Sequence, residues 1–337
     1  MIGVGINGFG RTGRQVLRAL LAFHPDIRVV VINDLGDPSL GAHLFQHDST
    51  YGTYPSEVNL VGDRLHIGGS EIQMMRVPDP AVVPWGHQGV EIVIEATGHF
   101  NESPSLRAHL YGGAARIVVC APSDEADVTL IYGINEGDFD AKRHYVISGS
   151  SCTTNALAPI ASVLHRKFGI EVGFISTIHS FTNSQRLLDK ARSGFRDSRA
   201  APSNIVPAPT GAATSLGLVI PDLAGRILGM AFRVPTMSVS ALDFTVQLSN
   251  DRAGEINQEL AAAAQSDLRT ILGYTDRALV SADFRGSPLS ATVSGVDTLA
   301  HRDFAKVVAW YDHEYGYSCR IADLVSFLAH AAPHTRS

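Results

Sequence analysis

Cysteine is scarce in this chain of 337 residues: Cys120, Cys152 and Cys319 stand far apart, with no C-x-x-C pair. With an odd number at such spacings, neither a disulfide framework nor a zinc site is expected, and a reducing compartment is. Long apolar runs are missing as well, since none approaches the roughly 18 residues that cross a bilayer. Basic excess is absent: 27 Lys and Arg against 33 Asp and Glu leave a net charge of −6. Without a long basic run, no general nucleic-acid surface is expected. The opening Met1-Ile2-Gly3-Val4-Gly5 is strand-like and carries no charged segment ahead of an apolar one. No secretory signal, no membrane anchor and no metal are therefore expected, and the cytoplasm is the expected location. Internal repeats and low-complexity linkers are lacking too. What remains, 45% hydrophobic and 18% charged residues, describes a globular protein whose length suits two domains.

The first half reads as a nucleotide-binding unit. Ile2 to Ile6 forms a buried strand, and Arg11 to Phe23 a helix with Val16, Leu17, Leu20 and Leu21 on one face. Between them lies Asn7-Gly8-Phe9-Gly10. Of two glycine registers, Gly3-x-Gly5-x-x-Gly8 and Gly5-x-x-Gly8-x-Gly10, the second is preferred. It places Gly8 and Gly10 in the turn, where backbone must approach a pyrophosphate at a helix N-terminus. A second apolar strand, Arg28 to Asn33, leads into Asp34, at the distance where a carboxylate meets a ribose 2′-hydroxyl. That carboxylate repels a 2′-phosphate, so NAD is favoured over NADP; the alternative for Asp34 is a turn or cap residue. Further strands are expected at Val90–Ala96, Arg116–Cys120, Val128–Tyr132 and Tyr145–Ser148, with a helix at Ser103–Tyr111. Strands alternating with helices imply a doubly wound, mostly parallel sheet. Residues 57–77, broken by Gly62-Asp63 and Gly68-Gly69, read as inserted hairpins.

The second half carries the chemistry. In Ser148-Gly149-Ser150-Ser151-Cys152-Thr153-Thr154-Asn155 a cysteine follows a small-residue turn and precedes a helical pattern, Ala156–Lys167. Helix N-terminal N–H groups aimed at a sulfur favour the thiolate, the form that attacks carbonyl carbon. The competing interpretation is a buried, inert cysteine. An apolar strand, Glu171–Ile178, ends at His179, a candidate base that must meet Cys152 through the fold. Residues 180–210 form a long irregular segment with Arg186, Arg192, Arg196 and Arg199, of a length usually reserved for function or an interface. Thr210-Gly211-Ala212-Ala213 opens another helix, suited to an oxyanion or to plain capping. Strands follow at Leu228–Val234, which carries Arg233, and at Val239–Leu248. In the latter Ser240, Leu242, Phe244, Val246 and Leu248 alternate with polar residues, the mark of a one-sided antiparallel sheet. A helix at Ala253–Ala264, a strand at Phe304–Tyr311 and an amphipathic helix at Tyr317–Ala331 complete the pattern.

These residues resemble the phosphorylating glyceraldehyde-3-phosphate dehydrogenase family. The motifs are Ile6-Asn7-Gly8-Phe9-Gly10-Arg11, Asp48-Ser49-Thr50-Tyr51-Gly52, Ser151-Cys152-Thr153-Thr154-Asn155, Thr210-Gly211-Ala212-Ala213 and Met230-Ala231-Phe232-Arg233-Val234-Pro235-Thr236. They keep the family's order and spacing over nearly the whole chain. The resemblance implies a Rossmann domain, 1–151, completed by the C-terminal helix 316–332. A catalytic α+β domain, 152–315, would carry a mostly antiparallel sheet and the long loop 180–210. It implies Cys152 as nucleophile and His179 as base, with Thr182 and Arg233 on the substrate's phosphate. Ser151, Thr153, Thr210 and Gly211 would surround inorganic phosphate and substrate, joined by Arg196 or Arg199. Asn7, Gly8, Gly10, Arg11, Thr12, Asp34, Cys120 and His313 would contact NAD. A homotetramer is implied, with the long loop at a subunit interface.

The chain departs from the pattern at several places. Where the family usually reads Tyr-Asp-Asn-Glu-Trp-Gly, Tyr311-Asp312-His313-Glu314-Tyr315-Gly316 stands here, which puts the nicotinamide contact of that asparagine in doubt. Cys120 replaces a usual Ser or Thr, Pro78 an Arg, Ser184 an Asp and Thr214 a Lys. The expected reaction is oxidation of D-glyceraldehyde 3-phosphate by NAD with capture of phosphate, or of arsenate in a paralogue. Alternatives are erythrose-4-phosphate dehydrogenase and a non-catalytic NAD- or RNA-binding regulator on the same fold. Retention of Thr182, Thr210-Gly211-Ala212-Ala213, Cys152 and His179 favours the first reading.

Overall fold

The computed structural model describes residues 2–101, 105–192 and 194–331. These fall into two compact units: one up to Tyr132, Glu136–Ser150 and from Ser318 on; the other Gly133–Asn135 and Ser151–Tyr317.

In the first unit the chain runs β1 (Ile2–Asn7), α1 (Arg11–Phe23), β2 (Ile27–Asn33), α2 (Pro38–Gln46), β3 (His47–Asp48), β4 (Gly52–Thr53), β5 (Val58–Val61), β6 (Arg64–Ile67), β7 (Ser70–Met75), β8 (Ile92–Glu95), α3 (Ala108–Tyr111), β9 (Arg116–Val119), β10 (Val128–Thr129) and β11 (Val146–Ser148). Nine of these strands make one sheet in the order β10-β11-β9-β8-β1-β2-β7-β6-β5. From β10 to β7 every pairing is parallel, and β7-β6-β5 turn antiparallel as the inserted hairpins. The sheet order reverses at β1, with β2 on one side and β8 on the other, so a crevice opens at the carboxyl ends of these strands. β1 and β8 are buried almost throughout, as strands covered on both faces must be. The helix expected from Ser103 starts outside the described residues, and its described part is helical only at Ala108–Tyr111. The strand expected at Val128–Tyr132 shortens to Val128–Thr129.

The second unit continues with α4 (Cys152–Phe168), β12 (Ile170–Ser180), β13 (Val206–Pro209), α5 (Ala212–Val219), β14 (Ile227–Val234), β15 (Ser240–Leu248), α6 (Ile256–Gln265), β16 (Leu272–Thr275), β17 (Ala291–His301) and β18 (Phe304–Tyr311). α7 (Tyr315–His330) starts here, and from Ser318 on it belongs to the first unit. The seven-stranded sheet, β13-β14-β12-β15-β18-β17-β16, is mostly antiparallel, with parallel pairs only at β12/β14 and β16/β17. In β15 the expected alternation is observed: Ser240, Leu242, Phe244, Val246 and Leu248 are the buried set. Val239 is not part of that strand; its φ of +62° is a left-handed conformation rare for a β-branched residue. Residues 206–209 of the supposedly irregular segment form β13, which pairs antiparallel with β14.

Period-two alternation decides what β12 presents on each face. Ile175, Thr177 and His179 are buried, whereas Val172, Phe174 and Ile178 point the other way and stay exposed. Phe174 pairs with Leu228 of β14, both about 60% exposed (58% and 60%), so an apolar strip lies on the open face of the sheet. His179 is thus on the covered face, the one against which α4 packs.

The turn between β1 and α1 corrects the expected glycine register. Gly5 lies inside β1, where a Cβ would meet the Trp85 ring at 2.6 Å. The fingerprint is instead Gly8-x-Gly10-x-x-Gly13. Gly8 turns the chain with φ +96°, and a Cβ at Gly10 would meet nothing within 4 Å. A Cβ at Gly13 would sit 2.0 Å from the Gly8 carbonyl oxygen, so only glycine lets α1 pack this close to the turn. Gly13→Ala is expected to lower unfolding stability by about 1–3 kcal/mol through overpacking. Gly10→Ala should stay within about 0.5 kcal/mol of the parent. Urea denaturation checks the pair, and equal stability of Gly13→Ala and the parent chain would refute this register.

Candidate functional site

In the first unit the functional residues gather at the carboxyl ends of β1, β2 and β8. α1 begins after Gly10 with no side-chain cap, the arrangement in which a helix N-terminus can receive an anion. The Asp34 carboxylate accepts from the Phe9 N–H at 2.6 Å and from the Gly36 N–H at 2.7 Å, which fixes it beside the glycine turn. An open cradle at Gly10, an uncapped helix start and an anchored carboxylate at the next strand end fit a dinucleotide: pyrophosphate on the turn and a ribose hydroxyl on Asp34.

Other expected cofactor residues play different parts. Asn7 is buried, with its amide donating to Glu95 Oε2 at 2.6 Å and its oxygen accepting from Asn33 at 2.8 Å. Its side chain therefore supports the turn from below. Arg11 donates to Asp48 at 2.7 Å and stacks over the Tyr51 ring, tying the loop to the Asp48–Tyr51 segment. Thr12 is half-buried in the first turn of α1. Cys120 follows β9 with its thiol raised far above the ordinary value by burial and by Glu95, so it is a neutral group.

In the second unit Ser151 is the N-cap of α4, its hydroxyl accepting from the Thr154 N–H at 3.1 Å. Immediately before it Ser150 adopts φ +57°, a strained turn that sets Cys152 at the first helical position. Cys152 Sγ lies 3.5 Å from His179 Nε2, across 27 residues of sequence. On the other side of the ring, Nδ1 lies 2.7 Å from the Ser180 carbonyl oxygen. A carbonyl can only accept, so Nδ1 carries the proton and Nε2 offers its lone pair to sulfur.

Burial holds the His179 pKa well below its ordinary value, assisted by His313 and Arg233. Burial also raises the Cys152 thiol, against an opposing pull from Arg233 and from the Thr153 hydroxyl and backbone N–H. The helix N-terminus was expected to leave the thiolate favoured. Desolvation of the sulfur opposes that preference. His179 Nε2 is placed to take the thiol proton.

The residues expected at phosphates divide. Arg233 is the in-register neighbour of His179 across β12 and β14, and its Nη1 reaches the Ser180 carbonyl at 3.5 Å. Thr182 joins Ser184 and Gln185: its hydroxyl is 3.0 Å from each, and Gln185 also accepts from the Thr182 N–H at 2.8 Å. Thr210 accepts from the Ala212 N–H at 3.3 Å, one residue ahead of the N-cap Gly211, which is exposed with nothing near a Cβ. Arg199 is exposed and paired with Asp189 at 3.2 Å, whereas Arg196 is exposed and makes no ion pair among the described residues. Thr153 is buried, and its hydroxyl meets Tyr311 Oη at 3.0 Å.

Several supporting residues escaped the sequence reading. The Tyr311 hydroxyl bridges Thr153 and Thr177, at 3.0 and 2.6 Å, and its ring stands edge-on to His179. Asp312, fully buried, accepts from the N–H groups of Gly286, Glu314 and Tyr315 and so fixes the start of α7. His313 between them is buried; its Nδ1 is 3.3 Å from Ser240 Oγ, and its ring centroid is 4.7 Å from that of His179. The one available signal was the strand alternation ending at Tyr311, which places that side chain on the covered face.

A family model described as glyceraldehyde 3-phosphate dehydrogenase, NAD binding domain, matches residues 2–103, and one for the C-terminal domain matches 151–313. The chain is 46% identical over 328 residues to glyceraldehyde-3-phosphate dehydrogenase 1 of Bacillus subtilis, covering 97% of this chain and 98% of the relative. It is 45% identical over 328 residues to the glyceraldehyde-3-phosphate dehydrogenase of Geobacillus stearothermophilus, with the same coverage. To that of Streptomyces coelicolor it is 43% identical over 330 residues, again covering 97% and 98%.

Because His313 depresses the His179 pKa, His313→Asn should raise it toward the ordinary imidazole value. The imidazole would then become cationic at a higher pH than in the parent chain. NMR titration of the His179 ring checks this; an unchanged or lower pKa in the variant would contradict the assigned cause.

Proposed function

The chain belongs to the glyceraldehyde-3-phosphate dehydrogenase family, and on that premise we propose that it converts D-glyceraldehyde 3-phosphate, phosphate and NAD to 1,3-bisphosphoglycerate and NADH. The acyl group is carried on Cys152. The observation that supports this most directly is the 3.5 Å contact between the half-buried Cys152 thiol and His179 Nε2, whose ring proton is held on Nδ1 by the Ser180 carbonyl.

Proton movement starts at that contact. His179 Nε2 takes the thiol proton, and the Cys152 sulfur bonds to the aldehyde carbon while the carbonyl π pair moves to oxygen. The imidazolium returns its proton to that oxygen, giving a hemithioacetal. His179 then removes the hydroxyl proton again as the C–H bond breaks and the carbonyl reforms, which leaves a thioester on Cys152. NAD, when bound, supplies the acceptor for the departing hydride. Asp34 and the Gly8–Gly13 turn would hold its ribose and pyrophosphate, with Arg11, Thr12, Cys120 and His313 the further candidates. A phosphate oxygen attacks the thioester carbon, the C–S bond breaks, and the sulfur leaves as thiolate. The N–H groups at the start of α4, which already draw down the thiol pKa, stabilise it on departure.

Two anions must be held near one sulfur. Arg233, with Thr182, is assigned to the substrate's own phosphate, since its cation acts on both Cys152 and His179. Ser151, Thr153, Thr210 and Gly211 are assigned to the incoming phosphate and substrate. Arg196 is preferred over Arg199, whose guanidinium is already paired with Asp189. The unit from Ile2 is assigned as the NAD domain and the unit from Ser151 as the catalytic domain.

A homotetramer is proposed as the working form. The strip containing Phe174, Leu228 and Met230 on the open sheet face is suited to two-fold pairing with another copy. A cytoplasmic location accords with three free cysteines and with no helix, among the described residues, long and apolar enough to cross a membrane.

Purified protein should form NADH from glyceraldehyde 3-phosphate only when phosphate or arsenate is present, and faster than from erythrose 4-phosphate. His179→Asn should slow turnover on the order of 10²–10⁴-fold, and Cys152→Ser should abolish it. Equal rates for Cys152→Ser and wild type would refute the mechanism. Separately, Phe174→Asp should shift sedimentation from a tetramer to smaller species; an unchanged tetramer would exclude this face as an interface.

A further inference from the structure

Glu95 and His109, fully buried in the first unit, take no part in the chemistry above. Glu95 is the last residue of β8, and both side chains have 0% exposure. Four hydrogen bonds converge on the Glu95 carboxylate. Oε2 accepts from Asn7 Nδ2 at 2.6 Å and from His109 Nε2 at 3.1 Å; Oε1 accepts from the Thr97 N–H at 2.8 Å and from the Thr97 hydroxyl. The role of His109 is fixed from its far side. Trp85 Nε1 can only donate, and it meets His109 Nδ1 at 3.1 Å, so the ring proton sits on Nε2 and points at Glu95. The imidazole is therefore a neutral donor, and the charge of the group is the carboxylate's.

A buried carboxylate is tolerated only when its lone pairs are fully used, and here they are spent on one structural task. Asn33, Asn7 and Glu95 are in-register neighbours on β2, β1 and β8. Asn33 donates to Asn7, exchanges bonds with the Val77 backbone, and immediately precedes Asp34. On the other side, Glu95 draws Thr97 against the turn, where a Cβ on Gly8 would lie 2.7 Å from the Thr97 nitrogen. One polar row thus ties together the ends of the three strands that carry the glycine turn, Asp34 and Thr97.

We propose that Glu95 is a positioning residue for the dinucleotide, and that the Asn33–Asn7–Glu95–His109–Trp85 row holds the loop in its binding shape. The proposal rests on the assignment of this loop to NAD. Being acidic, Glu95 gains nothing by touching a pyrophosphate, so its contribution lies in geometry.

The test is Glu95→Gln, which keeps shape but turns one acceptor into a donor facing Asn7 and His109. Calorimetric NAD binding should weaken by about 10- to 100-fold. KM for NAD should rise with it, while kcat at saturating NAD and KM for the aldehyde change less than about twofold. Without NAD, the amides of residues 7–12 and 96–98 should exchange hydrogen faster than in wild type. Asn7→Asp combined with Glu95→Gln restores a donor–acceptor match at Asn7 and should recover part of the affinity. Should Glu95→Gln not fold, Glu95→Asp, which withdraws the carboxylate by one methylene, should show the same exchange pattern. Wild-type exchange in the loop, or an unchanged NAD affinity, overturns the proposal. Wild-type protein that binds no NAD overturns the cofactor assignment instead, and the exchange comparison still judges the role of Glu95.

Discussion

Desolvation governs the catalytic centre. Cys152, half-buried, and His179, buried, lie 3.5 Å apart, and desolvation pushes both away from their charged forms, the thiol upward and the imidazole downward. Neither can ionise alone at low cost, but a proton can pass from one to the other. The resulting thiolate and imidazolium stabilise each other and are further favoured at the helix N-terminus. Reactivity in this design is coupled to the pair. A lone, permanently ionised cysteine would be open to indiscriminate oxidation.

The contact exists because two periodicities agree. Alternation along β12 puts Ile175, Thr177 and His179 on the covered face, and α4 lies on that face with Cys152 at its first turn. Tyr311, at the end of β18, then bridges Thr153 of α4 to Thr177 of β12. The helix start and the strand are thereby pinned to each other by hydroxyls rather than by packing alone. Asp312 fixes the following turn and so positions His313, the second imidazole beside the base.

Local patterns were legible in the sequence wherever one face is buried. The alternation of β15, the strand leading to Asp34, and the cysteine preceding a helical stretch all follow from residue spacing, and the family motifs supplied the partners. Three things were not legible. The glycine register was misplaced because Gly13 lies inside the expected helix Arg11–Phe23, and only its close approach to the Gly8 carbonyl ties it to the turn. Residues 206–209 form a strand whose pairing is set by partners at 230–233, which no short window contains. The balance at Cys152 was not legible because a helix N-terminus is visible in sequence, whereas the extent of desolvation that opposes it is not.

The central claim is that Cys152, with His179 as base, carries an acyl group from aldehyde to phosphate. Intact-protein and peptide mass spectrometry after incubation with glyceraldehyde 3-phosphate and NAD, in the absence of phosphate, tests it most directly. The account predicts a phosphoglyceroyl adduct confined to the peptide containing Cys152, discharged on adding phosphate. No adduct, or one on Cys120 or Cys319 instead, would contradict it.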